Sequence, residues 1–308
     1  MSDFQLKTPV AFIIFNRPDT TKLVFSEIAK AKPSTLLVVG DGPRPNRPGE
    51  AAKVAECRRI IELVDWDCEV ITNFSDVNLG CKGREASGID WIFEKVNEAI
   101  ILEDDCLPHN SFFRYCEELL ERYRNDQRVG MISGNNFQMG HTLNSDSYYF
   151  SRYSHGWGWA TWRDRWQNDY DVEMKNWPQF RDSGLIKNCF DSNAENRYWQ
   201  SIFEKTYRNI IDTYDYQWYF SFLLNGRLSI LPNINLVSNI GFGHDATHTT
   251  GSGATSALPV GKMEFPLIHP IGMLASRTLD KRFFKKFVYK SIYKRAFDKI
   301  LRTLKIIK

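Results

Sequence analysis

Four strand-like runs constrain this 308-residue chain more than anything else in it: Val10–Phe15, Thr35–Val39, Glu69–Thr72 and Ala99–Leu102. Between them lie segments whose apolar residues recur at helical spacing. Pro18 and Asp19 open the first, which should run to about Ala29; Val54, Cys57, Ile61 and Val64 mark the second; Ile89, Ile92, Phe93 and Val96 the third. After the fourth run, Phe112, Cys116, Leu119, Leu120 and Tyr123 mark another helix, and Val129–Ser133 reads as one more strand. Strands alternating with helices in this way predict an α/β fold with a mostly parallel central sheet and helices on both faces. From Val129 the alternation fades into an aromatic stretch, with seven of the nine tryptophans between Trp157 and Trp218. No internal repeat is visible.

The fourth run carries the chemistry. Ala99-Ile100-Ile101-Leu102 ends in Glu103-Asp104-Asp105, and ligands of open α/β sheets sit beyond the carboxyl ends of the strands. Three adjacent carboxylates repel one another unless a cation shares them, and Mg²⁺ or Mn²⁺ prefers such hard oxygen ligands. The period-2 geometry of a strand sets Glu103 and Asp105 on one side and Asp104 on the other.

Composition narrows the class. At 43% hydrophobic and 14% aromatic the chain can bury a sizeable core, and no apolar run is long enough to span a membrane. Six cysteines without a paired C-x-x-C spacing signal neither a zinc cage nor a disulfide framework, so reduced thiols and a cytoplasmic setting are expected. Residues 281–308 hold eleven Lys/Arg against Asp298 alone, a local +10 that leaves −7 on the rest of a chain whose net charge is +3. An acidic body with a basic tail is not the pattern of a nucleic-acid-binding core.

The opening strand with Asn16-Arg17, the strand ending at Asp41, Asn78-Leu79-Gly80 with Arg84, and Glu103-Asp104-Asp105 stand in the order used by GT-A-fold glycosyltransferases. The chain resembles a bacterial family-2-type sugar transferase, and its Glu-Asp-Asp is similar to that of N-acetylglucosaminyltransferase I. The resemblance covers roughly residues 9–250. It implies a GT-A domain over residues 1–270, with a nucleotide-sugar half to about 135 and an acceptor half from 136, followed by a tail at 271–308. It further implies that Asp105 ligates Mn²⁺ or Mg²⁺, that Asp104 and Glu103 serve ribose and metal-bound water, that Asp41 meets the base, and that Arg17 lies over the nucleotide; for Asp41 the alternative is a turn residue before Gly42. A nucleotide-diphosphate sugar, with a UDP-sugar favoured, would be the donor, and a glycan or lipid-linked glycan the acceptor, with inversion at the anomeric carbon.

The segment Gly80-Cys81-Lys82-Gly83-Arg84 has the make-up of a helix start that holds phosphate, and Arg84 occupies the place of the family's arginine. Glu85 stands where the family pattern has Asn. For the catalytic base, which must take the acceptor's proton, Asp215 comes first because its Asp-x-x-Trp resembles the family pattern, and Asp212 is the reserve. His155-Gly156-Trp157-Gly158-Trp159-Ala160-Thr161-Trp162 reads as a tight loop laid against the donor, one or two of its tryptophans touching sugar. A late histidine often completes such a site; His248 comes first and His244 second.

In the tail, Phe284, Val288, Ile292, Ala296, Ile300 and Leu304 recur every fourth residue among lysines and arginines. That is the pattern of an interfacial helix on anionic lipid, and implies peripheral attachment to the inner face of the cell membrane. A helix packed on the acidic body is the alternative. For function, the competing readings are a catalytically silent nucleotide-sugar-binding protein and a nucleotidyltransferase or phosphatase.

Overall fold

The computed structural model describes residues 5–241 and 257–288. The expected alternation is there: β1 (Val10–Ile14), α1 (Pro18–Ala31), β2 (Thr35–Gly40), α2 (Glu50–Ile60), β3 (Glu69–Phe74), α3 (Gly80–Lys95), β4 (Glu98–Glu103). Then come β5 (Cys106–Pro108), α4 (Ser111–Tyr123), β6 (Val129–Ser133), β7 (Tyr148–Ser151), β8 (Trp159–Trp162), α5 (Arg163–Asp169) and α6 (Trp177–Asp182). The described chain closes with α7 (Asn193–Tyr207), α8 (Asp215–Asn225), β9 (Leu228–Pro232), β10 (Val237–Asn239) and α9 (Arg277–Phe283), which runs on as a π-helical turn at Phe284–Val288.

Eight strands form one sheet in the order β3-β2-β1-β4-β8-β6-β9-β7, and only β8 and β7 run against the other six. A second, two-stranded sheet pairs β10 with β5. The parallel strands are buried on both faces, and strict alternation divides their side chains between two cores. Phe12, Val38, Ile100 and Leu102 face α1, α2 and α4, whereas Ala11, Val39, Ala99 and Ile101 face α3 and the aromatic helices α5–α8. Glu103 continues the second series and Asp104 the first, so the strand's own pleat aims the two carboxylates apart. Gly88 lets α3 lie this close to the sheet, since a Cβ there would stand 2.5 Å from Val39 Cγ1.

One segment differs from its expected form. Trp159–Trp162 is a strand, β8, inserted antiparallel between β4 and β6. Trp159 lies in one core and Trp162 in the other, and both are buried. Their size is used to fill the two layers, and the tight loop is confined to residues 155–158.

The start of the tail is packed on the body. Phe284 is buried, Phe283 and Val288 pack on the same core, and Lys281, Lys285 and Lys286 point outward. The first members of the apolar stripe are therefore spent on the protein itself, as in the alternative reading; Ile292, Ala296, Ile300 and Leu304 lie outside the described residues.

Candidate active site

Beyond β4 the chain turns at Asp104 and Asp105 and enters β5, and each of the three carboxylates has its own partners. Glu103 Oε1 accepts a hydrogen bond from the Tyr214 hydroxyl at 3.2 Å. Asp104 Oδ2 accepts the Phe15 amide at 3.0 Å, at the end of β1. Asp105 Oδ2 takes Nη1 of Arg17 at 2.5 Å, and Arg17 stands 3.7 Å from Asp104. The other Asp105 oxygen accepts from Asn239 Nδ2 at 3.2 Å and lies 3.6 Å from Cys106 Sγ. β10 brings Asn239 here by pairing with Cys106, and the Ile240 amide then donates to the Asp105 carbonyl at 2.8 Å. Gly241 follows because nothing larger fits: a Cβ there would stand 2.0 Å from Asp105 Oδ2.

Among the described residues, Arg17 is the guanidinium set against these carboxylates. Burial, and then the neighbouring carboxylates Asp105 and Asp104, push the Glu103 acid upward. Burial does the same to Asp104 in spite of Arg17. Half-buried Glu85 on α3 joins them, its acid raised well up by burial first and then by the charges on Glu103, Asp215 and Asp105. Glu103, Asp105 and Cys106 present donor atoms all within 4.8 Å of one another, the spacing a cation needs to be shared. Buried carboxylate oxygens at that spacing fit Mn²⁺ or Mg²⁺. Burial pushes the Cys106 thiol upward while no cation is bound.

The opposite wall comes from α8 and the loop before β8. Tyr214 and Asp215 line a cavity of about 50 Å³ together with Ser154, Gly156, Trp159 and Trp218. Asp215 is exposed and opens α8, where the positive helix end favours its charged form, and the Thr213 hydroxyl donates to its Oδ1. Its charge raises the acids of Glu85, Glu103 and Tyr214, behind burial and nearer carboxylates in each case.

No family model matches the chain, and neither does any curated protein. Among solved structures it is similar in part to UDP-glucose pyrophosphorylase complexed with UDP-glucose, at 12% identity and a TM-score of 0.27. The overlap covers 47% of this chain and 62% of that one, so the chain spans less than two thirds of that protein. What the site does is therefore read from its own residues.

The residues singled out in the sequence fall into two groups. Arg17, Glu103, Asp104, Asp105 and Asp215 are brought together. Asp41 and Arg84 are not part of that cluster. Buried Asp41 accepts the amides of Gly42, Leu79 and Gly80 and the Asn78 side chain, which ties the start of α3 to the end of β2. Arg84 turns inward, donating to the Gly40 carbonyl at 3.2 Å and to the Asn73 carbonyl and side chain. The amide of Lys82 is taken by Asp212 at 3.2 Å, and Lys82 Nζ by Asn209 at 2.8 Å. The amides at this helix start meet the Asp41 and Asp212 carboxylates, and Arg84 clamps β2 to β3. Asp212 is a cap of α3. His244 and His248 lie outside the described residues. Tyr214, Cys106, Asn239 and Gly241 escaped the sequence reading: Cys106 adjoins Asp105 but lacks a paired cysteine spacing, and the other three are neutral residues more than a hundred positions from Glu103–Asp105, where no local signal reaches.

His155 stands just before this wall, buried, its ring between Phe137 and Phe283 at centroid distances of 4.8 and 4.5 Å. Burial pulls its pKa from 6.5 down to about 3. Below pH 6.5 the unfolded chain binds a proton that the folded one refuses, so stability falls as pH drops through that window, by up to about 1.4 kcal/mol per pH unit. His155→Phe is expected to flatten this acid limb. Thermal melts from pH 7 to 4.5 check it, and an unchanged slope in the variant would refute it.

Proposed function

We propose that the protein is a metal-dependent glycosyltransferase that moves a sugar from a nucleotide-diphosphate sugar, a UDP-sugar by preference, to a carbohydrate acceptor. The observation that carries this reading is the approach of Glu103 and Asp105 donor atoms to within 4.8 Å at the end of β4, where the Glu103 carboxylate is bonded to Tyr214, the neighbour of Asp215. Asp105 and Glu103 would hold Mn²⁺ or Mg²⁺, which when bound neutralises the charge gathering on the leaving diphosphate. Asp215 takes the proton of the acceptor hydroxyl. As that oxygen bonds to the anomeric carbon, the bond to the diphosphate oxygen breaks and its electron pair leaves with the nucleotide, inverting the centre. Arg17 keeps the carboxylates oriented and Asp104 fixes the turn to β1.

The test is thermal shift of the purified chain against a panel of nucleotide sugars with and without Mn²⁺, followed by product analysis. Slow metal-dependent release of nucleoside diphosphate supports transfer chemistry. Nucleoside triphosphate formed with added pyrophosphate would indicate a nucleotidyltransferase, and binding without any turnover a silent binding protein.

The reading extends to location. Among the described residues no helix is long and apolar enough to cross a membrane. Lys281, Lys285 and Lys286 face outward, and seven more Lys/Arg follow in residues 289–308. Each near an anionic surface contributes about 1 kcal/mol, which supports peripheral attachment to the inner face of the cell membrane, where a lipid-linked or growing surface glycan would be the acceptor. The informative truncation ends at Val288, because Phe283 and Phe284 belong to the body. Full-length protein should float with anionic vesicles at low salt and the truncated form should not; equal flotation of the two would count against the tail.

A further inference from the structure

We propose that α9 is a strap that positions the aromatic wall of the site, and that Asp280 is its positioning residue. The inference rests on the transferase reading for its kinetic part. Asp280 is 2% exposed, far from any solvent that could carry its charge. Its Oδ1 accepts the Ser151 hydroxyl at 2.6 Å and its Oδ2 the Arg152 amide at 3.2 Å. Arg152 Nε stands 3.6 Å from the same carboxylate. A buried charge costs several kcal/mol to desolvate and is retained where its geometry specifies something. What it specifies here is the path of the chain out of β7.

That path leads to the site. Ser151 Oγ, held by Asp280, in turn accepts the Tyr153 amide at 3.0 Å. Two residues on, the His155 carbonyl takes the Ser133 hydroxyl at 2.6 Å, and the Gly158 carbonyl takes the Gly134 amide at 2.7 Å. Between those two anchors lie Gly156 and Trp157, and the cavity shared with Tyr214 and Asp215 is walled by Ser154, Gly156 and Trp159. The strap adds a second grip on this segment: Phe283 meets Tyr153 at 5.0 Å and His155 at 4.5 Å between ring centroids, and stacks on Phe137 at 5.4 Å. Gln138 closes the arrangement, its amide donating to the Leu279 carbonyl at 3.0 Å. The carboxylate end of the site, by contrast, is built on β1, β4, β5 and β10, and α9 makes no hydrogen bond or ion pair to those strands among the bonds described.

The strap therefore divides the site into a part it controls and a part it does not. Asp280→Ala should accelerate amide exchange in residues 153–159 while β1 and β4 exchange as before. It should lower kcat about 10- to 100-fold, the scale of a wall displaced by up to an ångström, and leave Mn²⁺-dependent nucleotide affinity within about twofold by calorimetry. Asp280→Asn, which keeps the acceptor oxygen for Ser151 but not the charge for Arg152, should fall between, and is read in the same way if the alanine variant does not fold. Unchanged exchange over 153–159 overturns the inference. So does faster exchange with wild-type kcat and KM. A wild-type protein inert toward every nucleotide sugar would instead sink the transferase reading, an outcome recognisable before any variant is made.

Discussion

Asp215→Asn is expected to bind a nucleotide sugar as the wild type does and to transfer it about 10²–10⁴-fold more slowly, the usual worth of a positioned general base. Four features of the site lead to that expectation. Asp215 is exposed, so an acceptor hydroxyl can reach it; it starts α8, whose dipole favours the carboxylate; it lines the cavity bounded by Tyr214 and Trp159; and its charge is felt at Glu85 and Glu103. The amide keeps the shape and the hydrogen bond from Thr213 but cannot accept a proton. Asp212→Asn is the control. Asp212 accepts the Lys82 amide at the start of α3, and the asparagine keeps an acceptor oxygen there, so the variant should cost little stability and little of the rate. Steady-state kinetics with calorimetric donor binding on both variants separates the roles. Near-wild-type turnover in Asp215→Asn with a large loss in Asp212→Asn would reverse them.

Much of the fold was legible because its first half is built from local rules. In β1, β2 and β4 each apolar run is short, bounded by turns and buried on both faces, so pattern alone finds it. β8 was not legible. Four residues, two of them tryptophans, follow a Gly-Trp-Gly that signals a loop, and the strand is placed antiparallel between β4 and β6 by contacts distant in sequence. The site divides in the same way. Glu103, Asp104 and Asp105 announced themselves by adjacency, but β4 ends at Glu103 and the turn that follows places Asp105. Asp41 and Arg84 are equally polar and sit on the expected strand and helix ends, but the backbone amides and carbonyls that satisfy them belong to loops whose approach no local spacing encodes. The tail shows a further limit. A stripe at every fourth residue states that one face of a helix is apolar, not what covers it; for Phe284 and Val288 the cover is the protein's own aromatic core.

Asp105→Ala should abolish metal-dependent nucleotide binding, a loss of at least about 100-fold, since removing even a supporting partner of a ligand commonly costs 10- to 100-fold in metal affinity. Asp105 is the point where the supports meet: Arg17 on one oxygen, Asn239 and Cys106 on the other, and the Ile240 amide on its carbonyl. Two milder variants separate loss of the ligand from loss of the fold. Asn239→Ala keeps the carboxylate and removes one donor, so binding should weaken about 10-fold with stability little changed. Gly241→Ala leaves every ligand in place but drives a methyl to within 2.0 Å of Asp105 Oδ2 and 2.5 Å of Arg17 Nη1. Something must shift, and the carboxylate is what it pushes. Nucleotide affinity should therefore fall in the order wild type, Asn239→Ala, Gly241→Ala, Asp105→Ala, and for all four it should collapse to one low value in chelator. Calorimetry with UDP and Mn²⁺, repeated in EDTA, measures the series. Affinity that is the same in EDTA, or unaltered in Asp105→Ala, would show that no metal bridges this aspartate and the nucleotide.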